Sequence, residues 1–239
     1  MRQFTNKLRA LLVLMMVCTS VSAQYFMNIR KSDGTKAQYS VSEVDSVWFS
    51  PAPSSVDLGL SVKWATFNIG ASTPEDAGDY FAWGEVEPRA FDTYTEANYR
   101  WYDGVRSIVT KYNDTDNKKT LDPDDDVAHV LWGGTWRMPT RDEFKELMDA
   151  DKCEWTWKGN GYEVKSKVEG FAGNKIFLPA AGEISSSGVG SVGEQGHYYS
   201  STLADGDNSA AYGVMLLSIM KMEYTIIRSD GRTIRPVCP

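Results

Sequence analysis

The 239-residue chain carries 32 acidic against 25 basic side chains, a net charge of −7, and 42% apolar residues. That apolar share supports a packed core and excludes a largely disordered chain, while the acidic balance, without a basic stripe, excludes the usual footprint of a nucleic-acid binder. Beyond the N-terminal region no segment is long and apolar enough to span a bilayer, which takes about 20 residues.

Residues 1–23 have the order of a cleavable secretion signal: Arg2, Lys7 and Arg9, an apolar run from Ala10 to Val17, then Val21-Ser22-Ala23 before Gln24. Two alternatives are a membrane anchor, for which the run is short, and lipidation at Cys18, which Val17 disfavours. Cleavage removes three bases and no acid, moving the net charge from −7 to −10. The mature chain is then exported, with the cell surface, the periplasm and the extracellular medium all open. Cys153 and Cys238 survive cleavage, and an oxidising compartment permits one disulfide between them; two unpaired buried thiols are the alternative.

Residues 24–50 read as a small β unit. A strand from Phe26 to Arg30 meets the turn signal Ser32-Asp33-Gly34, where Gly tolerates positive φ and Asp bonds its own backbone. Ala37 to Val41 returns, and Val44 to Phe49 is a third apolar stretch. Residues 51–55, Pro-Ala-Pro-Ser-Ser, are a linker.

From residue 56 to 239 the chain is dense in Gly, Trp and Tyr. Strands are expected at Val62 to Phe67, Tyr80 to Trp83, Lys175 to Leu178, Ala210 to Leu217, Tyr224 to Ile227 and Thr233 to Val237, and Trp155 and Trp157 alternate in a strand-like run. Two helices are expected. Asp122-Pro123 and the acids after it open Val127 to Leu131, with Pro and carboxylates where a helix start favours them. Thr140 with Glu143 forms a capping box ahead of Phe144, Leu147 and Met148. Few helices among many short strands indicate an α+β fold.

Six strings carry a resemblance: Val56-Asp-Leu-Gly-Leu-Ser-Val-Lys-Trp-Ala65, Gly78-Asp-Tyr-Phe-Ala-Trp-Gly-Glu85, Trp132-Gly-Gly-Thr-Trp-Arg-Met-Pro-Thr140, Phe177-Leu-Pro-Ala-Ala-Gly182, Tyr198-Tyr-Ser-Ser-Thr202 and Gly231-Arg-Thr-Ile-Arg-Pro-Val237. In this order they resemble the Fibrobacter succinogenes major paralogous domain, widespread in exported proteins of Bacteroidetes. The resemblance implies a C-type-lectin-like domain, distantly similar to formylglycine-generating sulfatase-modifying factors, with two helices and short twisted strands behind the N-terminal β unit. Residues 25–50 resemble a leader found before other exported domains of that phylum, through Lys31-Ser-Asp-Gly-Thr35 and Val41-Ser-Glu-Val-Asp-Ser-Val47. Phe67 stands where relatives often have Cys, and Tyr199 where they usually have Trp. If relatives pair that Cys with the equivalent of Cys153, only Cys238 is left as a partner here.

Catalytic motifs are absent. His129 and His197 are the only histidines, and neither sits in a nucleophile motif, which needs a base beside Ser or Cys. No cofactor is expected. The acids at Asp122, Asp124, Asp125 and Asp126 lack EF-hand spacing and read as a capped helix start, with calcium as the alternative. Glu87-Pro88 is followed by Arg89 and lacks the rest of a calcium-linked sugar motif. Trp64, Trp83, Trp132, Trp136, Tyr198 and Tyr199 lie inside the strings and are expected in the core, and Arg137 is expected to pair within the fold. Trp101, Tyr102 and His197 lie outside or at the edge of the strings and are the candidate ligand-binding residues. These observations point to an exported, non-catalytic binding or adhesion domain presenting loops to a glycan or protein. The alternatives are a structural subunit of a surface assembly, in which residues 25–50 supply an edge strand, and a modifying enzyme on the same scaffold.

Overall fold

The structure is a computed structural model that describes residues 25–30, 34–44, 51–104 and 108–239. The signal segment and most of the third apolar stretch of the N-terminal unit lie outside the described residues. The chain divides into two compact units, Met1–Phe49 and Ser50–Pro239.

The first unit is an antiparallel hairpin. Strand β1 (Phe26–Arg30) pairs with β2 (Lys36–Ser40) in the register Phe26↔Ser40 to Arg30↔Lys36. Gly34 sits at φ +86°, the left-handed region that Gly enters without penalty. A 3-10 turn over Val41–Glu43 follows, and the Val41 N–H donates to the Tyr25 carbonyl at 2.9 Å.

The second unit is built from small antiparallel sheets. Strands β3 (Ser55–Val56) and β15 (Val237–Cys238) flank β4 (Lys63–Ala65), with Trp64 opposite both Val56 and Val237. Strands β7 (Cys153–Trp157), β8 (Gly161–Ser166) and β9 (Lys175–Pro179) form a second sheet, and β12 (Gln195–Leu203), β13 (Ala210–Leu217) and β14 (Met220–Ile227) a third. Two-stranded ribbons pair β5 (Tyr102–Asp103) with β6 (Ile108–Val109) and β10 (Glu183–Ser185) with β11 (Gly188–Gly190).

Strand β12 organises the interior because successive side chains point to opposite faces. Tyr198 packs in one cluster with Trp64, Phe144, Leu147, Leu178 and Val214. Its neighbour Tyr199 packs in another with Trp83, Tyr112, Met138, Ala211 and Ile226. Both hydroxyls donate to carbonyls, Tyr198 to Pro179 and Tyr199 to Ile227, so neither polar tip is left unmet in the core.

Helix α1 (Val127–Trp132) is capped by the Asp126 carboxylate, which accepts the N–H groups of Ala128 and His129 and also that of Met138 across the following loop. Helix α2 (Arg141–Met148) carries the expected capping box, Thr140 accepting from the Glu143 N–H and Glu143 from the Thr140 N–H.

The expectation of an α+β, C-type-lectin-like domain is corrected. Strands make up 37% of the structure and helices 13%, the strands lie in several small sheets, and C-type-lectin-like helices are not found among the described residues. The helices stop at six and eight residues. Gly133 and Gly134 at φ +69° and +60° end the first, and Asp149 turns extended after the second to deliver the chain into β7. Expected strands also contract: Tyr80 to Trp83 makes only the bridge Phe81↔Arg232, and Thr233 to Val237 contributes bridges at Thr233 and Val237, the latter also the first residue of β15. No helix among the described residues is long and apolar enough to cross a membrane.

Candidate functional site

Three buried arginines position the loops of the second unit. Arg235 donates to the Asn68 side chain at 2.8 Å and to the carbonyls of Ala65 (3.0 Å) and Phe177 (2.8 Å). Among the described residues no carboxylate pairs with it, and burial pushes its pKa down to about 10. Arg232 pairs with Glu183 at 2.8 Å and Asp230 at 3.0 Å. Arg228 donates to the Tyr99 hydroxyl (2.9 Å) and to the carbonyls of Lys111 (3.0 Å), Tyr112 (3.2 Å) and Asn208 (2.8 Å), with its guanidinium 4.6 Å from the Trp83 ring. A planar guanidinium with five N–H donors can tie several strands of chain together in this way.

Arg228 thereby fixes the loop that carries two of the three expected ligand-binding residues. Tyr102 lies in β5, half-buried, at a pocket of about 190 Å³ lined also by Glu96, Tyr99, Val109, Ser209, Ile227, Ser229 and Arg228. Tyr99 is buried, its hydroxyl donating to the Trp83 carbonyl at 2.6 Å; desolvation raises its pKa. The rim is apolar at Tyr102, Val109 and the half-exposed Ile227. The walls are further braced by Glu85, which accepts from the Arg89 guanidinium and from the Arg100 N–H at 2.8 Å. Arg89, next to the Glu87-Pro88 pair, is therefore a structural ion-pair partner.

The other two expected residues are placed differently, and the expected site is corrected accordingly. Trp101 packs against the two clusters that contain Trp83 and Tyr94. The Arg100 guanidinium lies 4.4 Å from its ring and Lys111 Nζ 5.0 Å away, so Trp101 is an internal support beside Tyr102. Its indole Nε1 is buried without a partner, against Gly84, where a Cβ would stand 3.2 Å from it. His197 is 3% exposed, inside β12. Its ring nitrogens meet the Tyr224 hydroxyl and, at 3.0 Å, Gln195 Oε1. Burial, with the nearby Arg232 charge, pushes its pKa down to about 4. It is a neutral core histidine apart from the Tyr102 pocket.

The possible disulfide is also corrected. Cys153 and Cys238 are free thiols. Cys153 sits opposite Ser166 in the β7–β8–β9 sheet and Cys238 opposite Lys63 in the β15–β4–β3 sheet. Burial pushes the Cys153 thiol up to about 11, which removes the thiolate a nucleophile needs.

The acidic run is tied to internal partners. Asp122 meets Lys111 at 2.8 Å and Lys118 at 2.5 Å, and these contacts hold its carboxyl below the usual range. Asp125 pairs with Lys111 and accepts from the Tyr112 hydroxyl. Asp126 caps α1, and burial pushes its carboxyl upward. Among the described residues no group of three or more His, Cys, Asp or Glu side chains is arranged to hold a metal ion.

A second depression was missed by the sequence reasoning because its aromatic wall, Trp136, lies in the Trp132–Thr140 string, which reads as core. It is a cleft of about 410 Å³ that includes His129, Thr135, Trp136 and Arg137. The signal was the Gly133-Gly134 pair, which turns the chain so that Trp136 returns to the surface. Comparison of the chain with protein-family models, with curated proteins and with solved structures finds no match.

Proposed function

We propose that this chain is an exported, non-catalytic binding module of the major paralogous domain type, which presents its loop surface to a glycan or protein ligand outside the cytoplasm. The observation that carries this reading is the Tyr102 pocket. Its walls are loops pinned by a buried arginine, so the shape is set before a ligand arrives and little ordering free energy is lost on binding. A preformed concave site with an apolar rim and few polar groups is the usual form of a ligand pocket. The base and nucleophile candidates of the fold lie away from that pocket. His197 is locked neutral between Tyr224 and Gln195, and Cys153 is held as a thiol.

The test is a screen of the purified chain against arrayed glycans and displayed peptides, with wild type and Tyr102→Ala side by side. The expected result is a discrete set of ligands whose binding weakens roughly tenfold in the variant, as for an aromatic anchor. Binding of neither class would overturn the reading.

One observation favours the structural-subunit reading as a second possibility. The β1–β2 hairpin exposes Ile29 and Tyr39 on one face and Phe26 on the other, and a two-stranded ribbon is at best marginally stable alone. A light-scattering series would show concentration-dependent association if this hairpin recruits a neighbour; monomer throughout would contradict it.

A further inference from the structure

We propose that the cleft beside Trp136 binds an uncharged pyranose unit of a glycan. The inference deepens the binding-module reading by adding a second site of defined ligand class.

The cleft follows from the local sequence. Gly133 and Gly134 hold left-handed φ values and a Cβ at either would meet nothing within 4 Å; backbone geometry, not crowding, is what glycine supplies there. The Trp136 N–H donates to the Gly133 carbonyl at 3.2 Å, closing a tight turn. The Trp136 ring then packs edge-on against Trp132, centroids 5.0 Å apart at 84°, and Trp132 in turn against Phe67 at 5.6 Å. This ladder fixes the orientation of Trp136 while leaving the ring half-exposed at the cleft.

Around the indole stand polar side chains that make no hydrogen bond among the described residues. The His129 imidazole makes no hydrogen bond with the described residues, although its backbone N–H is held by Asp126. The exposed hydroxyls of Thr120 and Thr135 are likewise without a side-chain hydrogen bond. Arg137 also lines the cleft, held in place by both carboxylate oxygens of Glu143, at 2.8 and 2.5 Å, with its side chain 36% exposed. One aromatic ring and several open donors and acceptors match a sugar ring, which offers a C–H face to stack on the indole and hydroxyls around its edge.

Charge selects among sugars. The Arg137 cation is balanced by Glu143, and the Asp126 carboxylate is turned inward onto three backbone N–H groups. With Arg137 and Asp126 both engaged inside the protein, the cleft favours a neutral hexose over a uronic or sialic acid. The volume suits one or two rings of a chain that continues into solvent.

The test uses the full chain as purified, with the Trp side-chain N–H signals followed by NMR while cellobiose, maltotriose and chitotriose are titrated in turn. The expected result is that one of them shifts the Trp136 signal, that Trp136→Ala weakens binding more than tenfold, and that His129→Ala and Thr135→Ala each weaken it several-fold. Trp136→Phe retains part of the affinity, and Glu169→Gln, on an exposed loop, leaves it unchanged. If Trp136→Ala does not fold, the His129 and Thr135 variants carry the test. No shift at Trp136 with any neutral sugar, binding restricted to acidic glycans or to peptides, or sugar binding abolished by Tyr102→Ala but not by the cleft variants would each overturn the proposal. The last result would leave the binding-module reading standing, whereas failure to bind any glycan or peptide would remove both.

Discussion

The Tyr102 pocket and the Trp136 cleft are built on opposite arrangements of polar groups. At the pocket nearly every strong donor is engaged inside the protein. Arg228 makes four hydrogen bonds to chain segments from Tyr99 to Asn208, and the Tyr99 hydroxyl both donates and accepts. What remains for a ligand is shape, an apolar rim and the exposed Glu96 at its edge. At the cleft the framework is aromatic, Phe67 to Trp132 to Trp136, and the imidazole and hydroxyls around it are open. A site whose polar groups are already satisfied can select by fit, and a site whose polar groups are open selects by hydrogen bonding. Desolvated donors that a wrong ligand leaves unpaired carry a penalty of about 1–3 kcal/mol each.

The comparison breaks most sharply at Arg228. Arg228→Met removes the guanidinium and leaves one buried and two part-buried carbonyls and the buried Tyr99 hydroxyl without it, so unfolding free energy in urea should fall by roughly 3–5 kcal/mol. Apolar ligands of the Tyr102 pocket should be lost with it, and sugar binding at Trp136 should survive wherever the variant stays folded. A loss below about 1 kcal/mol would mean that Arg228 does not hold the loops.

A second expected effect concerns the third arrangement, polar groups that serve neither site. His197 has its pKa depressed from 6.5 to about 4 by burial. The unfolded chain therefore binds a proton between those values that the folded chain refuses. The stability contributed by keeping His197 neutral is present above about pH 6.5 and is lost as pH falls towards 4, by on the order of 3 kcal/mol at the lower end. Unfolding curves at several pH values should show a smaller acid-side fall for His197→Gln than for wild type. Identical slopes would rule the linkage out.

A smaller effect sharpens the account of charge at the cleft. Glu143→Gln keeps part of the capping box but removes the carboxylate that balances Arg137. It should lower stability by about 1–2 kcal/mol. It should also turn the cleft towards anionic sugars, measurable as a gain in binding of galacturonic over neutral oligosaccharides. The smallest effect is a null one. Because both thiols are free, a reductant should leave the melting temperature unchanged, whereas a bridge would contribute about 2–4 kcal/mol and its loss would lower the midpoint visibly.

What the sequence made legible was local. The Thr140–Glu143 box, the turn at Gly34 and strand β13 from Ala210 to Leu217 all follow from residues within a few positions of one another. The second half of β14 and most of β9 were equally readable. What escaped depended on distant partners. Strand β12 has no apolar alternation, because Tyr198 and Tyr199 are buried on opposite faces between two clusters. His197 reads as a loop residue until β13 and β14 close over it. Arg228, Arg232 and Arg235 carry charges that suggest the surface, yet each is buried among carbonyls or carboxylates from remote segments. The Trp136 cleft was hidden by the opposite error, since a tryptophan inside a dense aromatic string reads as core. Only the Gly133-Gly134 turn brings it out.

The central claim is that the chain binds ligands through preformed surface sites, of which the Trp136 cleft takes a neutral sugar. The most direct measurement is the titration of neutral oligosaccharides into the full chain while the Trp136 indole N–H signal is followed in wild type and in His129→Ala. The account predicts a saturable shift that weakens several-fold in the variant. A Trp136 signal that stays still through every titration, while the protein remains folded, would contradict it.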